Sequence, residues 1–286
     1  MAQLESEDIL SDSLNILGNH ETVKDAEYIQ YGPLKLTVAP KEGKANTLLA
    51  DHLFSPALLL AELFERGLVQ LGGRSVIELG AGCALPSLLA AILHPYPSLI
   101  VMTDYPDKVI LGNLERNVER NREHYPSSCR VHCAGYEWGS DTTKLLSKPP
   151  SQDDTTSPGT GYDIVIMSDL LHFDASHDAL VRSLTSLLAK SLDARVYVAA
   201  GKYTASHVCD GFIKLASSAG LVWEEKGSDG TCAGVPDKDD VCSGEAMWMG
   251  KMTVVGLDIA QLGVRKSMCR WWVGRWSQDG IVGWWM

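Results

Sequence analysis

Four acidic residues stand where apolar runs of this chain end: Glu78 in Val76-Ile77-Glu78-Leu79-Gly80-Ala81-Gly82, Asp104 after Leu99–Thr103, Glu137 before Trp138, and Asp169 after Tyr162–Ser168. Glycines at 80 and 82 admit positive φ and let a ligand approach bare backbone. The dinucleotide fingerprint requires a third glycine where this chain has Leu85, and the Gly-Lys-Ser/Thr of a phosphate-cradling loop is missing. A carboxylate two positions before the first glycine suits a ligand that lacks pyrophosphate and carries positive charge. Asp104, beyond the next strand, is placed to accept ribose hydroxyls. S-adenosylmethionine has both properties, a ribose and a cationic sulfonium and ammonium. Ligands of open α/β sheets bind outside the carboxyl ends of the strands. The four acids are therefore expected along one rim.

A second cluster, Asp169, His172, Asp174 and His177, follows the same strand. Here Asp169 is expected to orient an acceptor amine and His172 to take its proton. Asp174 or Ser176 reads as a cap for the following helix, and His177 as solvated. Tyr203 is a candidate for the acceptor side or for packing. Cys129 and Cys133 are four apart with no second ligand pair at zinc-like spacing, so no metal site is expected.

The elements that must position these residues can be read from periodicity. Tyr28 to Val38 alternates as a strand or hairpin, and Leu53 to Leu68 is apolar at helical spacing, with Ser55 and Pro56 as start signals. Strands are predicted at 75–79, 99–103, 130–134, 162–168, 195–200, 221–225 and 269–276. Helices are predicted at 85–93, 108–122, 176–192 and 206–219. This alternation indicates a Rossmann-like α/β fold with a mostly parallel seven-stranded sheet and helices on both faces; the last strand is expected to run antiparallel. Residues 1–45 read as an N-terminal extension and 46–276 as the domain, with polar loops at 140–161 and 227–246. Residues 277–286 form a short tail.

Bulk properties narrow the partners. A chain of 286 residues with 45% hydrophobic content can bury a sizeable core. A net charge of −11 argues against direct nucleic-acid binding and fits a cationic cofactor or a basic protein segment. No apolar run reaches the length of a membrane span. The acidic first residues resemble neither a secretory signal nor a transit peptide. The seven cysteines are scattered, and several lie inside apolar runs, which points to a reducing compartment, cytoplasmic with the nucleus left open. Trp271, Trp272, Trp276, Trp284 and Trp285 crowd the last sixteen residues, an enrichment that suits a protein partner.

The combination of Glu78-Leu79-Gly80-Ala81-Gly82, Thr103-Asp104-Tyr105-Pro106, Asn113 and Asn117, Tyr136-Glu137-Trp138-Gly139, and Tyr162 through Asp169 resembles the class I, seven-β-strand methyltransferases of family 16 type. That group includes nicotinamide N-methyltransferase-like proteins and elongation-factor lysine and N-terminal methyltransferases. The resemblance implies S-adenosylmethionine as cofactor, with Gly80 and Gly82 passing the methionine moiety, Asp104 holding the ribose and Trp138 flanking the adenine. Phe54, Glu78, Tyr105 and Asp169 complete the implied cofactor site. Three positions depart from the family pattern. Ala84 replaces a glycine, Phe54 stands where a tryptophan is usual, and the Asp-x-x-Tyr/Phe element reads Asp169-Leu170-Leu171-His172, with Phe173 one place late.

The acceptor stays open at this level. Methyl transfer is an in-line displacement that needs a free lone pair. Deprotonating a lysine at pH 7 costs roughly 4–5 kcal/mol and an N-terminal amine about 1 kcal/mol, while a pyridine nitrogen needs none. Methylation of a protein amine is expected. A nicotinamide-like acceptor, or a weakly active fold serving as an interaction subunit, is the alternative.

Overall fold

A computed structural model describes residues 28–147, 161–226 and 247–282. The loop expected at 140–161 lies largely outside these residues. The loop at 227–246, Trp284 and Trp285 lie wholly outside them.

The chain opens with a hairpin, β1 (Ile29–Tyr31) and β2 (Leu34–Leu36), then a short helix α1 (Gly43–Thr47) and α2 (Ser55–Glu65). β3 (Ser75–Leu79), α3 (Leu85–Ile92), β4 (Leu99–Asp104), α4 (Lys108–Arg120), β5 (Arg130–Gly135) and the short α5 (Thr143–Leu146) follow. Next come β6 (Ile164–Ser168), α6 (His177–Leu187), β7 (Arg195–Gly201), α7 (Ser206–Ser218) and β8 (Leu221–Lys226). The chain closes with α8 (Ile259–Ser267), β9 (Cys269–Trp276) and α9 (Gln278–Val282).

Seven strands form one sheet in the order β5-β4-β3-β6-β7-β9-β8. The first five are mutually parallel, and β9 runs antiparallel between β7 and β8. The chain therefore steps outward from β3 to β4 and β5, then returns to the other side of β3 with β6. That reversal opens a crevice at the carboxyl ends of the central strands.

The physical cause of the layering is visible in β3, where all five residues are buried. Val76 faces one core with Ile100, Ile166, α2 and α3, while Ile77 and Leu79 face the other with Val165, α6 and α7. A strand covered on both sides is apolar throughout instead of alternating. The hairpin joins the first core through Tyr31, Leu34 and Leu36, all fully buried. It is held by side-chain amides of α4 and its C-cap that imitate a strand partner. Asn121 exchanges two hydrogen bonds with the Lys35 backbone, and Asn117 does the same with Thr37.

Several predicted boundaries shift. The helix predicted to reach Leu192 stops at Leu187, because Leu188 is extended and bridges Tyr162, whose carbonyl accepts Ala189 N–H. α8 has no counterpart in the predicted elements. Its start carries a capping box in which Asp258 accepts Gln261 N–H at 2.7 Å and the Gln261 side chain accepts Asp258 N–H at 2.9 Å. Lys266 of α8 forms a buried ion pair with Glu62 of α2 at 2.8 Å, and Glu62 also accepts Met249 N–H. The described tryptophans of the C-terminal cluster pack inward. Trp271, Trp272 and Trp276 belong to β9 and are buried between its neighbours and the flanking helices. Trp276 Nε1 donates to Ala189 O at 2.9 Å. They complete the sheet's two cores and present no interface.

Candidate active site

A cavity of about 410 Å³ opens at the carboxyl ends of β3, β4 and β6. Phe54, Glu78, Gly80, Gly82, Asp104, Tyr105, Trp138, Asp169 and His172 all line it, together with Glu137. Glu78 and Asp104 thus share one crevice, as the strand-end pattern requires. The volume lies within the range of small-molecule sites.

The turn after β3 is shaped by backbone in the left-handed region at Gly80 (φ 59°), Gly82 (φ 56°) and Ala84 (φ 62°). At Gly80 a side chain is excluded twice over, because a Cβ there would lie 2.6 Å from Leu170 and 3.1 Å from Trp138. At Gly82 a Cβ would meet nothing within 4 Å, so the backbone faces open space. Ala84 adopts the conformation that a glycine takes at lower cost. Thr103 Oγ1 donates to Glu78 O at 2.8 Å and Ala81 N–H to Thr103 O at 2.9 Å, which ties the ends of β3 and β4 together. Asn117 Nδ2 reaches Cys83 O from α4.

Asp104 accepts Gly82 N–H and Tyr105 N–H, each at 2.7 Å. Burial raises its pKa, against the pull of these two donors. Each oxygen keeps a further lone pair for a ligand hydroxyl. Glu78 is fully enclosed. Oε2 accepts Ser87 N–H at 3.3 Å, and Oε1 is buried without a hydrogen bond. Burial, with a smaller push from Asp104, raises the Glu78 carboxyl to about 8. A carboxyl in that state favours a cation that restores its charge.

Trp138 stands half-buried against the Gly80 turn, its ring edge-on to Phe173 with centroids 5.5 Å apart. Asp169 takes a left-handed φ of 60°, which aspartate tolerates better than most residues. Its Oδ1 accepts Gly201 N–H at 3.3 Å, and its Oδ2 accepts the Tyr203 hydroxyl. Tyr203 thus acts on the site through Asp169. His172 lines the cavity, but both ring nitrogens are buried without a hydrogen bond of ordinary geometry. Burial lowers its pKa to about 4, with a weaker opposite pull from the Asp169 backbone. A histidine held neutral in this way is a weak proton acceptor near pH 7. His177 is buried rather than solvated, with Nε2 2.8 Å from Leu171 O. Neither Asp174 nor Ser176 accepts a capping bond from α6. His52, stacked on Phe54, also lines the cavity and was not singled out from the sequence. The Asp51-His52 pair just before a predicted helix start was the available signal.

The residues fit an adenosyl sulfonium. The buried unpartnered Glu78 oxygen suits an ammonium, Asp104 suits hydroxyls, Trp138 offers an aromatic face, and Gly82 leaves the backbone bare.

A sequence model described as lysine methyltransferase matches residues 36–218. The chain belongs to the lysine methyltransferase family. Among curated relatives, the protein N-terminal and lysine N-methyltransferase EFM7 of Gibberella zeae is 35% identical over 158 residues, covering 54% of this chain and 58% of that protein. The proteins of the same name from Yarrowia lipolytica and Schizosaccharomyces pombe are 38% and 30% identical, covering 41% and 54% of this chain and 44% and 56% of their own lengths. The chain spans about half the length of the curated relatives it matches.

Proposed function

We propose that this member of the lysine methyltransferase family transfers the methyl group of S-adenosylmethionine to an amine nitrogen of a protein, on a lysine or an N-terminus. The observation that carries the reading is the single cavity in which Glu78, Asp104 and Asp169 ring the bare turn at Gly80 and Gly82. Bound there, S-adenosylmethionine supplies a methyl group activated by a positively charged sulfur. Glu78 holds the ammonium, Asp104 the ribose hydroxyls, and Trp138 flanks the adenine. Gly80 and Gly82 let the methionine moiety lie along the backbone. Phe54 and Tyr105 close the walls.

Asp169 orients the acceptor amine, and its own carboxylate is fixed by Tyr203 and Gly201 N–H. Methyl transfer rewards this kind of positioning more than acid–base chemistry. His172 packs as a neutral ring beside Phe173 at the acceptor end. The names of the relatives, protein N-terminal and lysine N-methyltransferases, favour a protein acceptor over a small molecule. The test is transfer of tritiated methyl from S-adenosylmethionine to protein of a cell lysate, beside calorimetric titration with the cofactor. Protein labelling that Asp169→Asn abolishes while cofactor affinity holds supports the reading. Calorimetry without binding would sink it.

A further inference from the structure

His52, which lines the cavity, and its neighbour Asp51 have no part in the scheme so far. Asp51 and His52 lie between α1 and α2, both buried, and Asp51 Oδ1 is 2.7 Å from His52 Nδ1. The second Asp51 oxygen, Oδ2, is buried without a hydrogen bond. A buried carboxylate needs a compensating charge, and the contact that Asp51 makes is with this imidazole. An ionised carboxylate only accepts, so opposite one Nδ1 acts as the donor and Nε2 is the nitrogen available to a ligand. Stacking on Phe54, with centroids 5.6 Å apart and rings 26° from parallel, holds the imidazole in place.

The charge around this ring is one-sided. The described residues that line the cavity include Glu78, Asp104, Glu137 and Asp169, but neither lysine nor arginine. His172, the other histidine there, is held neutral by burial. S-adenosylmethionine brings a carboxylate into this acidic surrounding as well as its two cations, and that group requires a donor.

We infer that Asp51 and His52 form the carboxylate-binding end of the cofactor site, where His52, held at Nδ1 by Asp51, donates Nε2–H to the amino-acid carboxylate of S-adenosylmethionine. Asp51 orients the ring through Nδ1, so the donor is in place before the ligand arrives. The inference rests on the cofactor reading above and adds the residues that distinguish a complete amino-acid moiety from a truncated one.

The experiment is calorimetric titration of the full chain with S-adenosylhomocysteine and with its decarboxylated analogue S-adenosyl-3-thiopropylamine, which keeps the ammonium and lacks the carboxylate. Wild type should bind the first at least about tenfold more tightly, the scale of a charge-assisted hydrogen bond. His52→Gln should lose that preference, weakening S-adenosylhomocysteine about tenfold or more while leaving the analogue within about twofold. Asp51→Asn, which keeps the ring and withdraws its balancing charge, should lose the same preference and serves if His52→Gln does not fold. Equal weakening of both ligands, or no change in either, overturns the role of His52. If wild type binds neither ligand, the cofactor reading itself falls.

Discussion

Glu78 makes an unusual demand on the ligand-free protein. Its carboxyl is raised from an ordinary 4.5 to about 8, first by burial and then by Asp104. Between these values the folded chain keeps a proton that the unfolded chain releases. The stability associated with Glu78 is therefore whole below pH 4.5 and is lost progressively as pH rises through 8. At 1.36 kcal/mol per pH unit the full window is worth about 5 kcal/mol. Glu78→Gln removes the ionisation and keeps the shape. Urea denaturation of ligand-free protein at pH 5, 7 and 8.5 should show wild type losing several kcal/mol relative to the variant across that series. Saturating S-adenosylmethionine should flatten the wild-type decline, because a cation beside Glu78 favours the ionised form. The variant should also bind the cofactor about tenfold or more weakly, as expected for the loss of a charge-assisted hydrogen bond. Greater stability at alkaline pH would then accompany poorer binding. Parallel pH profiles for the two proteins would refute the reasoning, since they would mean that Glu78 is ionised in the empty site.

Four further outcomes follow from the same geometry. His172 has a folded pKa of about 4 against an ordinary 6.5, so its contribution is whole above 6.5 and is lost as pH falls through 4. His172→Phe should abolish that acid-side decline, worth about 3 kcal/mol, in urea denaturation at pH 4 and 7. Gly80→Ala should cost about 2–4 kcal/mol, from strain at positive φ plus contact with Leu170 and Trp138, whereas Gly82→Ala should cost only about 1–2 kcal/mol, as read by thermal denaturation. Lys266→Met leaves Glu62 charged and enclosed and should cost about 3–5 kcal/mol in urea, with the double variant Glu62→Gln/Lys266→Met recovering most of it. Asp169→Asn keeps the tolerance for left-handed backbone. It should leave the unfolding temperature nearly unchanged while methyl transfer falls about a hundredfold, the scale of a misplaced acceptor.

Much of this molecule was legible in residue order because the responsible physics is local. The runs Ser75–Leu79 and Ile164–Ser168 are apolar without alternation because helices cover both faces, and that signature is written in consecutive residues. The acids at 78, 104 and 169 were recognisable because strand ends in such a sheet converge, whatever the intervening loops do. α8 was missed although its Asp258-x-x-Gln261 cap is a local signal, since only nine helical residues follow and two of them, Arg265 and Lys266, are charged yet buried. No periodicity rule places a lysine in a core. Its place there depends on Glu62, about two hundred residues earlier in the chain.

Charge states were decided by tertiary structure alone. His172 and His52 are equivalent by type, but burial holds one as a neutral ring, while the other lies 2.7 Å from a carboxylate oxygen of Asp51. Likewise, three of the tryptophans whose clustering suits an interface, Trp271, Trp272 and Trp276, become sheet interior once β9 is inserted between β7 and β8. Sequence alone determined which residues could meet at the strand ends, because backbone pairing converges them regardless of detail. Only the folded chain decided which of them are dry, paired or charged, because desolvation depends on every neighbour in space and not on neighbours in the chain.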